Sequence, residues 1–115
     1  MTFVSNICHY VVMGIKFNGF DWNQGNEQKC QKHGLIKSEI EAFFLGKLWV
    51  APDVKHSDLE DRYLAVGRSS NGRPMFVAFT LRNYQGEILI RPISARYMHE
   101  REVTKYEEAF TKNED

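Results

Sequence analysis

The chain has 115 residues and a formal net charge of zero, with 15 basic and 15 acidic side chains. Hydrophobic residues make up 43% and aromatic residues 13%, a composition that is typical of a folded domain and excludes a disordered chain. This length predicts a single domain with a modest core. Because the net charge is zero, the whole chain has no basic field, and composition alone disfavours binding to nucleic acid.

The two kinds of basic residue are segregated along the chain. Every arginine lies between residues 62 and 101, whereas no lysine occurs from residue 56 to residue 104. An arginine grips a phosphate with a planar fork of donors, whereas a lysine is a hydrated point charge. The arginine-only stretch therefore favours recognition of oxyanions, although ordinary ion pairs on a sheet surface would also account for it.

The two cysteines and the first residues of the chain indicate the cellular compartment in which the protein is expected. Cys8 and Cys30 do not make a disulfide framework, and the start of the chain lacks the basic and apolar regions of a secretory signal. No stretch is long and apolar enough to span a membrane. We therefore expect a cytoplasmic protein with reduced thiols and no membrane partner. Cys30 and His33 supply only two of the three or four ligands that zinc requires, so we expect neither a metal nor another cofactor.

The first third of the chain predicts two short helices. Residues 1–19 are expected to form either an extension or an extra strand, which would run from about Cys8 to Lys16. Asn23 can cap a helix over about residues 24–33, which ends before Gly34. Ser38 and Glu41 have the spacing of a capping box and start a second helix that continues to about residue 45.

The sequence then alternates with a period of two, which predicts a sheet. The candidate strands are Lys47–Ala51, Asp61–Arg68, Pro74–Arg82 and Glu87–Arg96. Turns at Asn71-Gly72 and Gln85-Gly86 predict an antiparallel meander. If Asn71-Gly72 is a two-residue turn, Arg68 pairs with Met75, and Val66 pairs with Val77 on the core face.

The last part of the chain completes the predicted fold. Pro92 cannot donate to a strand ladder, so it marks an edge or a bulge. Met98–Lys112 is predicted to be an amphipathic helix. The fold class is therefore α+β, with two N-terminal helices, a four-stranded antiparallel sheet and a C-terminal helix.

A series of short motifs runs in order through residues 20–107. They are Phe20-Asp21-Trp22-Asn23, Lys32-His33-Gly34, His56-Ser57 with Glu60-Asp61-Arg62-Tyr63, Val66-Gly67-Arg68-Ser69, Gly72-Arg73, Thr80-Leu81-Arg82, Ile93-Ser94-Ala95-Arg96 and Glu100–Tyr106. Together they make the chain resemble the BrnT family of small toxins. The first helix departs from the family, because Asn23 replaces the usual Asp and Asn26 stands near a common Lys. Residues 1–19 have no counterpart in the family.

The resemblance implies a RelE-like fold for a single domain over residues 20–112. It also implies a toxin of a type II toxin–antitoxin pair that cleaves RNA without a metal and is neutralised by a BrnA-like antitoxin. Such antitoxins carry a ribbon-helix-helix part that binds operator DNA, so the toxin would reach the operator only indirectly. The alternative is a non-catalytic relative that acts as antitoxin partner and co-repressor.

Metal-free RNA cleavage uses the substrate 2′-OH as the nucleophile on the adjacent phosphate. The protein must then move two protons and stabilise the charge that develops around phosphorus. The predicted catalytic residues are His56, as acid or base, and the strand-end phosphate ligands Arg68, Arg82 and Arg96. The predicted substrate-binding residues are Lys32, His33, Arg73 and Tyr97, of which Tyr97 could stack on a base. Ion pairing of Arg96 with Glu100, hydrogen bonding of His56 to Asp58 and capping by His33 are the structural alternatives.

Overall fold

A computed structural model describes residues 11–13, 16–53 and 60–112 of the chain. The elements in these residues are β1 (Val11–Met13), β2 (Gly19–Phe20), α1 (Gln24–Gln31), α2 (Lys37–Phe43), β3 (Lys47–Pro52), β4 (Arg62–Arg68), β5 (Pro74–Tyr84), β6 (Glu87–Tyr97) and α3 (Glu100–Lys112). The α+β class is confirmed. The predicted fold left out two short strands before the first two helices. β1 lies within the span considered for an extra strand, about Cys8 to Lys16, whereas β2 was not expected. None of the described helices is long and apolar enough to cross a membrane.

The sheet is larger than predicted and is mixed. In the described part of the chain its six strands lie in the order β1-β3-β4-β5-β6-β2. β2 runs parallel to β6, with Gly19 opposite Leu89, while the other neighbouring strands are antiparallel. The prediction of four antiparallel strands is therefore wrong. Strands of two or three residues carry no periodic pattern of their own, and their pairing with a neighbour defines them.

The first hairpin has a register that differs by one residue from the prediction. Arg68 pairs with Pro74, and Val66 pairs with Phe76. The loop is longer than a two-residue turn, because the Ser69 N–H donates to the Arg73 carbonyl at 2.7 Å and Gly72 takes a φ of 86°. A three-residue loop with glycine in the left-handed region explains the shift. The valines that were expected to share the core face therefore lie on opposite faces.

The main core lies between one face of the sheet and the first two helices. Its most buried large side chains include Phe43, Phe44, Phe79, Leu35, Ile40, Met75 and Val77. The predicted capping box of Ser38 and Glu41 is wrong. The N-cap of α2 is Ile36, two residues earlier, and the Glu39 carboxylate accepts from the Ile36 backbone N–H at 3.3 Å. The Glu41 carboxylate accepts instead from Trp22 Nε1 at 2.9 Å, which ties α2 to the start of α1.

The opposite face of the sheet is covered at one end by α3. A small apolar cluster of Val66, Met98 and Val103, with Phe76 and Tyr106 packed against it, joins this helix to β4 and β5. The face beyond α3, towards the β5–β6 turn, carries the arginines that form the candidate site.

Candidate functional site

A β-bulge in β6 brings Arg91 and Arg96 to the same face of the sheet. Ala78 pairs with Ser94 and Phe79 pairs with Pro92, so Ile93 is an extra residue on β6. The predicted choice of an edge or a bulge at Pro92 thus resolves to a bulge. An extra residue reverses the alternation of side chains along β6, so Arg91, paired with Thr80, and Arg96, paired with Phe76, both project from the face opposite the main core.

Two arginines consequently flank one buried threonine. Arg62 on β4 and Arg91 on β6 both pair with Thr80, which lies on the strand between them. Thr80 is only 2% exposed, and its hydroxyl donates to the Asp61 carbonyl at 2.6 Å. Neighbouring strands lie about 4.8 Å apart, so the two arginine backbones are about 10 Å apart. Arg82 lies two residues along β5 on the same face, and the three guanidinium groups share one patch.

This patch forms one side of an open groove of about 400 Å³, which we call the arginine groove. Its lining residues are Asn23, Gly25, Asn26, Lys29, Glu60, Arg62, Arg82, Arg91 and Ile93. Four of these side chains are cationic, and Glu60 is the acidic one. Arg82 lies 3.4 Å from Glu60, and Arg91 lies 3.3 Å from the Asp21 carboxylate. The lining has a net positive charge, so the groove is suited to an anion with several oxygens, such as a phosphodiester.

Asn26 joins the α1 side of the groove to the bulge. Its amide nitrogen donates to the Pro92 carbonyl at 2.7 Å and to the Asp21 carbonyl at 3.1 Å. Its amide oxygen accepts from the Asn23 backbone N–H at 2.7 Å, and its own N–H donates to Asn23 Oδ1 at 3.0 Å. This buried amide therefore caps α1 reciprocally with Asn23 and fixes the segments on both sides of Arg91.

Arg68 and Arg96 lie on the same face of the sheet as the groove, but at the other end, against α3. Arg68 pairs with Glu100 at 2.8 Å and with Glu107 at 3.7 Å. Arg96 pairs with Glu102 at 2.8 Å and lies over the Phe76 ring at 4.9 Å. The expected alternative partner of Arg96, Glu100, binds Arg68 instead. Both arginines therefore hold the last helix against the sheet.

In each of these two ion pairs, the arginine and the glutamate stabilise each other's charged form. The hydrogen bond from Arg96 lowers the pKa of Glu102, and the bond from Arg68 lowers the pKa of Glu100. The same bonds raise the pKa of each arginine. All four groups are therefore charged at neutral pH.

The predicted substrate-binding residues do not line the arginine groove. Tyr97 faces the main core side, where its hydroxyl donates to the Glu39 carboxylate at 2.6 Å; that bond raises the pKa of Tyr97. The Arg73 guanidinium stacks at 3.4 Å from the centre of the Tyr97 ring. Lys32 and His33 are exposed after the end of α1. Of the predicted residues in the described ranges, the groove contains Arg82.

His56 belongs to residues 54–59, which lie outside the described part of the chain. Its predicted role as acid or base stays a prediction. Its position four residues before Glu60 limits the separation of their Cα atoms to about 14 Å.

Three cationic groove residues were missed from the sequence, namely Lys29, Arg62 and Arg91. A signal was available for Arg91, because the Gln85-Gly86 turn pairs Arg82 with Leu89 and Thr80 with residue 91. Arg62 belongs to the Glu60–Tyr63 motif but begins a strand, whereas the prediction favoured arginines at strand ends. Lys29 carries no such signal, since any exposed helix position could hold it.

Metal-ligating side chains do not cluster in residues 11–13, 16–53 and 60–112, where no group of three His, Cys, Asp or Glu could hold an ion. Cys30 is fully buried in the main core, and burial raises the pKa of its thiol to about 11. The described side chains that line the groove therefore offer guanidinium, ammonium, amide and carboxylate groups.

Comparison with known families identifies the chain. The family model described as the ribonuclease toxin BrnT of type II toxin–antitoxin systems matches residues 22–102, which is more than half of the chain. The chain belongs to the BrnT family. No curated protein and no solved structure matches it. Membership implies a ribonuclease toxin of a type II system, with RNA as the substrate and an antitoxin as the partner. The match covers α1, α2, the four longer strands and the first residues of α3, and so includes every lining residue of the arginine groove.

Proposed function

We propose that this BrnT chain is a metal-independent endoribonuclease that binds the scissile phosphate of RNA in the arginine groove. The observation that carries the proposal is the convergence of Arg62, Arg82 and Arg91 on one patch of sheet, beside Lys29. Glu60 and Asp21 pair with Arg82 and Arg91, but the four cationic side chains outnumber these two carboxylates and leave the patch with a net positive charge. A phosphodiester supplies the oxygens that such groups bind best.

The proposed reaction is an internal transfer at phosphorus. The 2′-oxygen attacks the adjacent phosphate, its proton passes to a base, and the bond from phosphorus to the 5′-oxygen breaks as that oxygen takes up a proton. The products are a 2′,3′-cyclic phosphate and a 5′-hydroxyl. The arginines stabilise the negative charge that develops on the oxygens around phosphorus, an effect of about 10²–10³-fold in kcat for one well-placed donor.

The proton transfers are assigned to His56, with Glu60 as the second candidate. A histidine titrates near neutral pH and can therefore both accept and donate a proton. Glu60 is exposed at the edge of the groove and contacts Arg82, which also suits it to hold that arginine in place. Separate His56→Ala and Glu60→Gln variants distinguish these roles, because loss of the acid or base changes the pH profile of kcat.

A second candidate function is a non-catalytic antitoxin partner that acts as co-repressor. The departures of the first helix from the family pattern at Asn23 and Asn26 support this alternative. For either function we propose a RelE-like fold, a bacterial cytoplasmic setting and a BrnA-like antitoxin with a ribbon-helix-helix part. Contact with operator DNA would then pass through the antitoxin.

Purified chain and single-stranded RNA in the presence of a chelator provide the test. The proposal expects cleavage, products that end in a 2′,3′-cyclic phosphate, and no cleavage where the nucleotide before the scissile bond is 2′-deoxy. Cleavage that requires a divalent ion contradicts the mechanism. Tight binding of the antitoxin without any RNA cleavage supports the co-repressor instead.

A further inference from the structure

A second depression adjoins the arginine groove at the end of the β5–β6 hairpin. It has a volume of about 360 Å³ and is lined by Asp21, Arg82, Asn83, Tyr84 and Leu89. Arg82 lines both depressions, so they form one continuous surface. This volume lies within the range of small-ligand sites, about 300–1,000 Å³.

Tyr84 is the aromatic wall of this depression and is 62% exposed. It lies two residues beyond Arg82 on the same strand, so both side chains project from the same face about 7 Å apart. Leu89, directly opposite Arg82, adds an apolar surface on that face. The ring therefore stands beside the proposed phosphate ligand with most of its surface open to water.

The hairpin fixes the position of this ring. Tyr84 pairs with Glu87 across the turn, and both intervening residues have positive φ, 52° at Gln85 and 85° at Gly86. Positive φ at both central positions is the mark of a type I′ turn, which continues the twist of the two strands. The ring is thus carried by a regular strand end, which lowers the entropy lost when a ligand stacks on it.

We propose that this depression binds an unpaired nucleobase of the RNA, next to the phosphate held by Arg82. The inference rests on the proposed function and names the part of the substrate that the second depression takes. Bases of single-stranded RNA commonly stack on exposed aromatic side chains. The Asn83 amide and the Asp21 carboxylate on the lining can hydrogen-bond to base edges, because an amide offers both donors and acceptors. The occupant is uncharged, so Asp21 does not repel it as it would a second phosphate.

The first test measures binding of a fully 2′-O-methylated RNA oligonucleotide, which has no free 2′-OH and cannot be cleaved. We expect Tyr84→Ala to weaken binding about tenfold, because stacking of one base on an aromatic ring contributes about 1–3 kcal/mol. Tyr84→Phe keeps the ring and is expected to bind like the wild type. Leu81→Ala is the matched control, since Leu81 is an exposed apolar residue on the opposite face of the same strand. Thermal unfolding of each variant shows that the fold is retained.

The second test places 2-aminopurine at successive positions of the same oligonucleotide. Stacking on Tyr84 quenches its fluorescence at one position in the wild type and in Tyr84→Phe, and the quenching is lost in Tyr84→Ala. Quenching that persists in Tyr84→Ala, or equal affinity of Tyr84→Ala and wild type, overturns the proposal.

The outcomes separate this inference from the proposed function. Position-specific stacking by a chain that cleaves no RNA supports the base site and contradicts the nuclease. Cleavage that is equally efficient in wild type and Tyr84→Ala contradicts the base site and leaves the nuclease intact. A wild-type chain that neither binds nor cleaves RNA overturns both.

Discussion

The buried amide of Asn26 on α1 supports the residues that surround Arg91. Asn26 bonds to the carbonyls of Asp21 and Pro92, and the Asp21 carboxylate in turn lies 3.3 Å from Arg91. We expect Asn26→Ala to reduce kcat/KM for RNA cleavage, because the bulge and Asp21 lose their common support. Asn26→Asp keeps the acceptor for Asn23 but places an anion against two carbonyl oxygens, so it is expected to be at least as impaired.

Coupling to Arg91 distinguishes a positioning role from a general loss of stability. If Asn26 acts through Arg91, Asn26→Ala costs little further activity in an Arg91→Ala background, whereas it remains costly in an Arg62→Ala background. The measurement is a double-mutant cycle in kcat/KM, with unfolding temperatures determined in parallel. Equal and additive losses in both backgrounds contradict the positioning role.

Single residues also show which contacts could be predicted from the sequence and which could not. The two cap residues of α1, Asn23 and Asn26, interrupt the family pattern, yet they bond reciprocally and keep this helix beside the groove. A capping role for Asn23 was predictable from its residue type. The second role of Asn26 was not, because its partner carbonyl lies 66 positions away at a bulge.

At the scale of elements, the four longer strands were predicted correctly from their alternating pattern. The predicted register of β4 and β5 was wrong because the loop between them has three residues rather than two. Pro92 indicated an edge or a bulge, but it did not indicate which residue is extra; that residue is Ile93, and it brings Arg91 and Arg96 to one face of the sheet. Arg68, Arg82 and Arg96 were predicted alike as phosphate ligands at strand ends. The sequence did not show that Arg68 and Arg96 pair with glutamates of α3, and their role as ligands stays a prediction.

The attachment of α3 should depend on pH. Because hydrogen bonds from arginines lower the pKa of Glu100 and Glu102, their contribution to stability is complete above the ordinary carboxyl pKa of about 4.3. It is lost as the pH falls through the lowered values of the folded state. Unfolding free energy measured from pH 7 to pH 3 should therefore fall in the acid range.

The variant Arg96→Ala isolates one of these pairs. It is expected to lower stability at pH 7 by about 0.2–1 kcal/mol, because the side chains of Arg96 and Glu102 are 40% and 33% exposed and solvent screens the pair. It should also reduce the acid dependence, since Glu102 then loses the hydrogen bond that is the largest cause of its lowered pKa. An acid profile identical to that of the wild type contradicts the assignment of Arg96 to α3.

At the scale of the whole molecule, the two outermost strands come from residues that the family model does not match. β1 lies on the outer edge of β3 and β2 lies on the outer edge of β6, and both precede residue 22. A free strand edge invites pairing with another chain. Deletion of residues 1–13 should therefore increase self-association, measured by light scattering, while RNA cleavage is retained because the groove is built on β4, β5 and β6. Loss of cleavage by the monomeric deletion variant contradicts this separation of roles.

Although the net charge of the chain is zero, one face of the sheet carries two separate groups of arginines. Arg68 and Arg96 are paired with α3 at one end, and Arg82 and Arg91 line the groove at the other. The central claim is that the second pair binds the scissile phosphate.

Its most direct test compares kcat/KM for RNA cleavage by the double variants Arg82→Ala/Arg91→Ala and Arg68→Ala/Arg96→Ala, at a temperature where both are folded. We expect the first to lose at least about 10²-fold and the second to stay close to the wild type. The reverse order of losses would contradict the account and place the active site beneath α3.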